Sequence, residues 1–391
     1  MLTKINDIAG LKIFMAGIYI HIPFCKKACF YCDFHFSVSF KKKKEIVGAL
    51  IQEVISRTDF FKPKEIIRTI YFGGGTPSVL SLEELDDIMA AIHSHYTVVQ
   101  DAEITFECNP DDLNFSFLQG LKFAGINRLS VGVQSFDDDH LSWMNRSHNA
   151  HQSIQCIHDA AQVGFNDITI DLIYGLPQLS NSVWESTVKK AFELPINHLS
   201  AYSLTLEENT PYSKLVKQKK YLKPLDDGSS EHYTILVELS QSLGWDHYEV
   251  SSFCKKENYA RHNKSYWEGI KYLGIGPSAH SYDQEKRYWN VSSNDSYLDL
   301  SRQNGDYRDF EVLTISDQIN EKLLTGLRTK WGVNQQSFKL KYGYDIYTLF
   351  EKEINYWVSI QWMVKKKENI RLTEVGFLFA DHIASSMFVD V

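Results

Sequence analysis

Residues 17–36 read GIYIHIPFCKKACFYCDFHF, a short alternating segment that runs straight into three closely spaced cysteines. Ile18, Ile20 and Ile22 fall on one face and Tyr19 and His21 on the other, the two-residue period of a strand. Pro23 has no N–H with which to continue strand pairing. Cys25, Cys29 and Cys32, spaced C-x3-C-x2-C, therefore lie on a loop past the strand's C-terminal end. Thiolates are the usual protein ligands of iron–sulfur clusters, and four ligands complete a 4Fe-4S cubane. Three on one loop leave one iron open to a ligand from outside the protein. The alternative is a structural zinc site made by the same cysteines with His21 or His35. Such sites usually pair two cysteine knuckles, and Cys108, Cys156 and Cys254 are too scattered to supply a second one.

Downstream, strand and helix patterns alternate. The stretch KKKKEIVGALIQEVISRTDF repeats apolar residues at helical spacing from residue 46 to 55. Residues 66–72 (IIRTIYF) read as a buried strand and end in GGGTP at 73–77. Ser81 and Glu84 form a capping box for the next helix, and residues 103–110 (EITFECNP) give a third strand. In FAGINRLSVGVQSF and QVGFNDITIDLIYG, Gly125 and Gly164 stand where a helix closes and a strand follows. A helix near 183–192 leads to a strand in NHLSAYSLTL, and a helix over 229–243 closes at Gly244 before a strand in WDHYEVSSF. About six such alternations predict parallel α/β architecture, an open, partial (β/α)6 TIM-like barrel. From about Asp317 the pattern becomes helical, with a hairpin around Lys367 and Asn369 and a last helix from Glu374. It predicts a small C-terminal helical, winged-helix-like domain. The expected division is 1–16 as a dispensable lead, 17–300 as the barrel with an extension, and 301–391 as the C-terminal domain.

The chain has 391 residues, enough to bury a large core, and its net charge of −8 argues against a general nucleic-acid binder. Six cysteines in no disulfide-like pattern fit a reducing cytoplasm, and no apolar run approaches a membrane span. The stretch before Pro23 holds His21 and lacks a small-residue cleavage site, so it does not read as a signal peptide. Aromatic residues make up 13%, most of them core, with some free to line a pocket for a flat ligand.

The polar residues that stand out cluster just past strand ends, the rim where parallel β/α folds build sites. GGGTP lets a ligand approach bare backbone, or simply makes a tight turn; it lacks the Lys-Ser/Thr ending of a nucleotide-phosphate loop. Glu107 can accept hydrogen bonds from a ribose or an ammonium group, or be an ordinary rim carboxylate. Gln134 and Asp171, set among apolar neighbours, need partners, either a buried network or a ligand.

The cysteine motif with GGGTP, NRLSVGVQSF and IDLIYGLP resembles the radical SAM enzymes of the oxygen-independent coproporphyrinogen III oxidase group, from Tyr19 to RLTEVG at 371–376. The resemblance implies that the open iron binds the amino and carboxylate groups of S-adenosylmethionine (SAM). An electron from the cluster then cleaves the sulfonium to methionine and a 5′-deoxyadenosyl radical. It assigns Cys25, Cys29 and Cys32 to the cluster. It assigns Tyr19, Tyr31, Gly74, Gly75, Thr76, Glu107, Gln134, Arg146 (from MNRSH) and Asp171 to SAM.

Two features divide the group. The oxidases resemble C-x3-C-x2-C-x-C, whereas the last position here is Phe34, and they carry a longer N-terminal extension over the porphyrin site. Residues 262–267, HNKSYW, are similar to the H-N-x-x-Y-W signature of the HemW haem chaperones. That branch implies haem binding and delivery to acceptor haemoproteins, respiratory ones among them, with cluster and SAM regulating dimerisation or haem release. It admits a homodimer and a peripheral membrane contact. The oxidase, decarboxylating two propionates, is the alternative. For haem, His262 offers an imidazole and Tyr266 and Trp267 flat surfaces; the other reading makes all three packing residues.

Overall fold

The alternating stretch at the start of the chain becomes an inner strand of the main sheet. The computed structural model describes residues 14–63, 65–224, 226–303, 305–306 and 308–390. Strand β1 (Phe14–Ile22) pairs in parallel with β2 (Glu65–Gly74), and the sheet continues in chain order. The next strands are β3 (Val98–Cys108), β4 (Arg128–Gln134), β5 (Asp167–Tyr174) and β6 (His198–Ser203), all parallel. Ile18, Ile20 and Ile22 are buried in the core with Ile46, Leu50 and Val54 of the helix Lys43–Ser56. The alternation thus sorts the strand as expected, with isoleucines toward the helices and Tyr19 and His21 on the opposite face.

Helices cross between the strands with the local chemistry the sequence announced. Ser81 and Glu84 exchange both capping-box hydrogen bonds at the start of Leu82–His95. Gly164, at φ +98°, closes Ala150–Val163. Six parallel strands with outer helices give the partial barrel.

Two stretches differ from expectation. WDHYEVSSF is a hairpin rather than one strand: β7 (Asp246–Glu249) and β8 (Ser252–Cys254) run antiparallel, β8 pairing with β6. The turn is set because the Glu249 carboxylate accepts from the Ser251 N–H at 3.1 Å while the Val250 N–H donates to the Arg328 carbonyl at 3.0 Å. The sheet also extends beyond the six repeats. Strand β9 (Lys271–Ile275) returns to pair in parallel with the other edge of β1. The antiparallel strands β10 (His280–Tyr282), β11 (Lys286–Asn290) and β12 (Arg308–Val312) follow. Strand β12 carries this sheet past residue 301. Thr314 then caps the helix Ile315–Leu327, which opens the C-terminal unit.

That unit joins five further helices, Gln335–Tyr342, Ile346–Leu349, Glu351–Ser359, Glu374–Phe377 and Ala380–Ser385, to a small antiparallel sheet of β13 (Val333–Asn334), β14 (Met363–Lys365) and β15 (Asn369–Leu372). Of the N-terminal lead, residues 1–13 lie outside the described residues. Phe14, Met15 and Ala16 belong to β1, with Phe14 opposite Glu65. No helix among the described residues is long and apolar enough to cross a membrane.

Candidate functional site

The C-terminal ends of β1 to β6 open into one cleft of about 760 Å³. Cys25, Cys29, Tyr31 and Cys32 line it from the loop after β1, and Gly74, Gly75 and Thr76 from the end of β2. Glu107, Gln134, Arg146 and Asp171 complete the inner wall. Residues spread over roughly 150 positions of sequence therefore meet in one place, as expected of the rim of a parallel fold.

The cysteine loop is pinned at its base. The Cys25 N–H donates to the Ser37 carbonyl at 3.0 Å and the Ser37 N–H to the Pro23 carbonyl at 2.9 Å. Thr76 Oγ1 donates to Cys25 Sγ at 3.2 Å, and Arg146 Nη1 to Cys29 Sγ at 3.1 Å. Arg146 is itself fixed by Asn109 Oδ1 (2.7 Å) and the Gly132 carbonyl (2.8 Å). Burial pushes the Cys25 thiol up to about 11 and the Cys32 thiol up to about 12. A thiol held neutral in this way ionises when it meets a cationic metal centre.

The donor set fits a cubane better than a single zinc. A lone ion needs its ligands to converge, and among the described residues no three His, Cys, Asp or Glu side chains do so. A cubane presents separate irons, so three thiolates bind it while staying apart. Both candidate zinc histidines are committed elsewhere. His21 Nε2 meets the His35 carbonyl at 2.9 Å and His35 Nε2 meets Asn294 Oδ1 at 2.8 Å.

The glycines satisfy the chain's own packing. Gly74 sits at φ +104°, and a Cβ there would lie 2.5 Å from His21 Nδ1. One on Gly75 would lie 2.7 Å from the Phe24 carbonyl oxygen. The tight-turn reading of GGGTP thus has a sufficient cause, and the same bare backbone faces the cleft.

Two carboxylates form the floor. Burial pushes Glu107 up to about 7, against the hydrogen bond that Tyr71 OH donates at 2.7 Å and with the nearby charge of Asp171 adding to it. Burial pushes Asp171 up to about 6, opposed by hydrogen bonds from Ser200 and Ser130. Two desolvated acids side by side favour a cationic ligand above them. Gln134 holds a left-handed backbone at φ +66°, a strained conformation for a residue other than glycine and one that recurs at ligand sites.

Tyr19 and His262 do not line the cleft. The Tyr19 hydroxyl meets His21 Nδ1 at 3.2 Å, and its ring stacks on Tyr71 with centroids 6.0 Å apart. His262 is 1% exposed, on the helix Arg261–Glu268 below the floor. Its Nδ1 meets Thr69 Oγ1 and its Nε2 meets Tyr266 OH, each at 2.8 Å, while its ring stacks on Tyr71 at 5.0 Å. Burial lowers its pKa to about 3, so the imidazole is neutral. Coordination of an iron here requires this helix to leave its place. In the structure as it stands His262 has the packing role that the sequence left open as its alternative.

Asn109, which orients Arg146, carries no motif signal of its own; its one mark in the sequence is its place after Cys108 at the end of β3, on the rim. Phe379 and His382, on the C-terminal side of the cleft, belong to no motif.

Comparison with known proteins accords with this geometry. Residues 19–191 match the Radical SAM superfamily and residues 313–379 the HemN C-terminal domain. The chain is 34% identical to the heme chaperone HemW of Bacillus subtilis, over 94% of this chain and 98% of that one. It is 32% identical to the heme chaperone HemW of Lactococcus lactis, over 95% of this chain and 97% of that one. In fold it is similar to coproporphyrinogen III oxidase (HemN) of Escherichia coli, at a TM-score of 0.83 and 22% identity, over 96% and 91% of the two chains. By its rim cysteines, its partial barrel, its C-terminal unit and its near full-length identity to these relatives, the chain belongs to the HemW haem chaperone family of radical SAM proteins.

Proposed function

We propose that this protein holds a 4Fe-4S cluster on Cys25, Cys29 and Cys32, binds SAM at the open iron, binds haem and passes it to acceptor haemoproteins. What supports the reading is one observation: three thiols, an arginine and two protonatable carboxylates line one cleft. When bound, the cluster supplies an electron to the SAM sulfonium. The chain's own residues bind and orient. Arg146 donates to Cys29 Sγ and Thr76 to Cys25 Sγ, and the guanidinium would offset the negative charge of the ligating thiolates. Glu107 and Asp171 would face the positive charge of a bound SAM as carboxylates, and the bare Gly74 and Gly75 backbone would admit it closely. Tyr31, beside Arg146 at 3.4 Å, closes the loop side. Phe34, where the oxidases carry a further cysteine, leaves an apolar ring at the mouth of the cleft, suited to haem as cargo.

The test incubates anaerobically reconstituted full-length protein with haem, and separately with SAM, reductant and coproporphyrinogen III. The expected result is stable haem binding, transfer to an apo-haemoprotein and no protoporphyrinogen at turnover. Protoporphyrinogen formed catalytically reverses the assignment in favour of the oxidase.

A further inference from the structure

The cleft that carries the cysteine loop is walled on its far side by the C-terminal unit, and that wall ends in a flat aromatic surface. Trp357 and Trp362 stack with centroids 5.6 Å apart and planes 12° from parallel. Trp362 and Phe379 continue the stack at 4.3 Å and 3°. Trp357 is buried, with its indole N–H donated to Ser386 Oγ at 3.1 Å, so the column is anchored at its inner end. Phe379 is the outer end, 40% exposed and facing the cleft. Phe34, from the cysteine loop, lines the same cleft and is 67% exposed. Large rings left uncovered in a cavity usually await an apolar partner.

Three residues beyond Phe379, His382 also lines the cleft, its ring edge-on to Trp357 at 5.8 Å. Among the described residues it is the one histidine that does so. No described residue hydrogen-bonds its ring nitrogens, in contrast to His262, where both are engaged. A haem needs a flat apolar rest for the macrocycle and an imidazole able to reach the iron. Both occur here side by side.

Resting on the haem-binding reading above, we propose that haem lies in this cleft against Phe379, with His382 as its iron ligand. Cargo and SAM then occupy one cavity, so that each changes the affinity of the other by the same factor.

The experiment titrates haem into anaerobic, cluster-reconstituted full-length protein and into two variants. Wild type gives the Soret band of imidazole-ligated haem. His382→Ala shifts that band and weakens binding by about tenfold or more, and added imidazole restores the band. Phe379→Ala weakens binding by roughly threefold to tenfold without moving the band. In both variants SAM still alters the cluster's EPR spectrum as in wild type, which reports an intact fold. A wild-type Soret band and affinity in His382→Ala overturn this assignment and leave haem binding standing. Failure of the wild-type protein to bind haem overturns the functional reading itself.

Discussion

At Gly74 a single missing Cβ decides whether β2 can end beside the cysteine loop. Its φ of +104° disfavours any L side chain, and the His21 ring fills the space a methyl would need. Gly74→Ala is expected to lose about 2 kcal/mol or more in urea unfolding and to lower cluster content on reconstitution. An unchanged midpoint would mean that His21 simply moves aside. Glu107 makes a second prediction at this scale. Its folded pKa, raised to about 7 from 4.5, means that the folded state keeps a proton the unfolded chain has lost. Stability from this group is therefore full below the unfolded pKa and declines as pH rises from 4.5 toward 7. The loss is roughly 3 kcal/mol at most. Glu107→Gln should flatten that decline in cofactor-free protein, measured as the melting temperature across this pH window, and an unaltered slope would assign it to other groups. Such detail was partly legible: C-x3-C-x2-C, GGGTP and Glu107 all announce themselves at strand ends. Tyr19 does not reach the cleft because it stands three residues before the end of β1, roughly 10 Å below the rim. Alternation gave its face correctly and said nothing of its depth.

At the scale of elements, the helix Arg261–Glu268 shows why a motif's letters do not disclose its role. HNKSYW offers an imidazole and two aromatic rings, but Glu103 fixes where they point. One carboxylate oxygen accepts the Arg261 N–H at 2.9 Å and the other the His262 N–H at 2.8 Å, so a side chain of β3 caps the helix. These contacts join residues about 160 positions apart, beyond any local pattern. Glu103→Gln retains one acceptor oxygen and turns an amide N–H toward the second backbone donor. The expected cost is about 2 kcal/mol, with faster amide exchange at Arg261 and His262 than elsewhere in the sheet. Exchange that stays as slow as in wild type would show that packing under Tyr71 alone holds the helix. The parallel core was legible from its repeated strand and helix periods. The short strands β9 to β12 and the β7–β8 hairpin were not, because each is three to five residues long and takes its place from sheet neighbours.

At the scale of the molecule, backbone hydrogen bonds help to join the barrel to the C-terminal unit. The Val250 N–H donates to the Arg328 carbonyl and the Lys330 N–H to the Tyr248 carbonyl, both at 3.0 Å, and Glu249 bridges to Thr329. Arg328 adds charge across this seam: Nη2 meets the buried Glu249 at 3.5 Å, while Nη1 is held within the C-terminal unit by Asp381 at 2.7 Å. Burial raises the Glu249 pKa, and Arg328 opposes the rise. Removing the arginine leaves a buried carboxylate without its main compensating charge, a loss of roughly 3 kcal/mol. One apolar core, moreover, runs from Ile18 and Ile20 through Ile319 and Leu323 to Trp357. Two units joined in this way should unfold together. In urea, the amides of Ile20 and Leu323 are expected to exchange through one opening, with the same denaturant dependence. Arg328→Ala should split that opening, so that Leu323 exchanges at lower urea than Ile20. Because the cleft is closed by residues of both units, the split should come with weaker haem binding even though no cluster ligand has changed. Coincident exchange in the variant, with haem affinity intact, would place the coupling in the apolar core rather than in the charged seam.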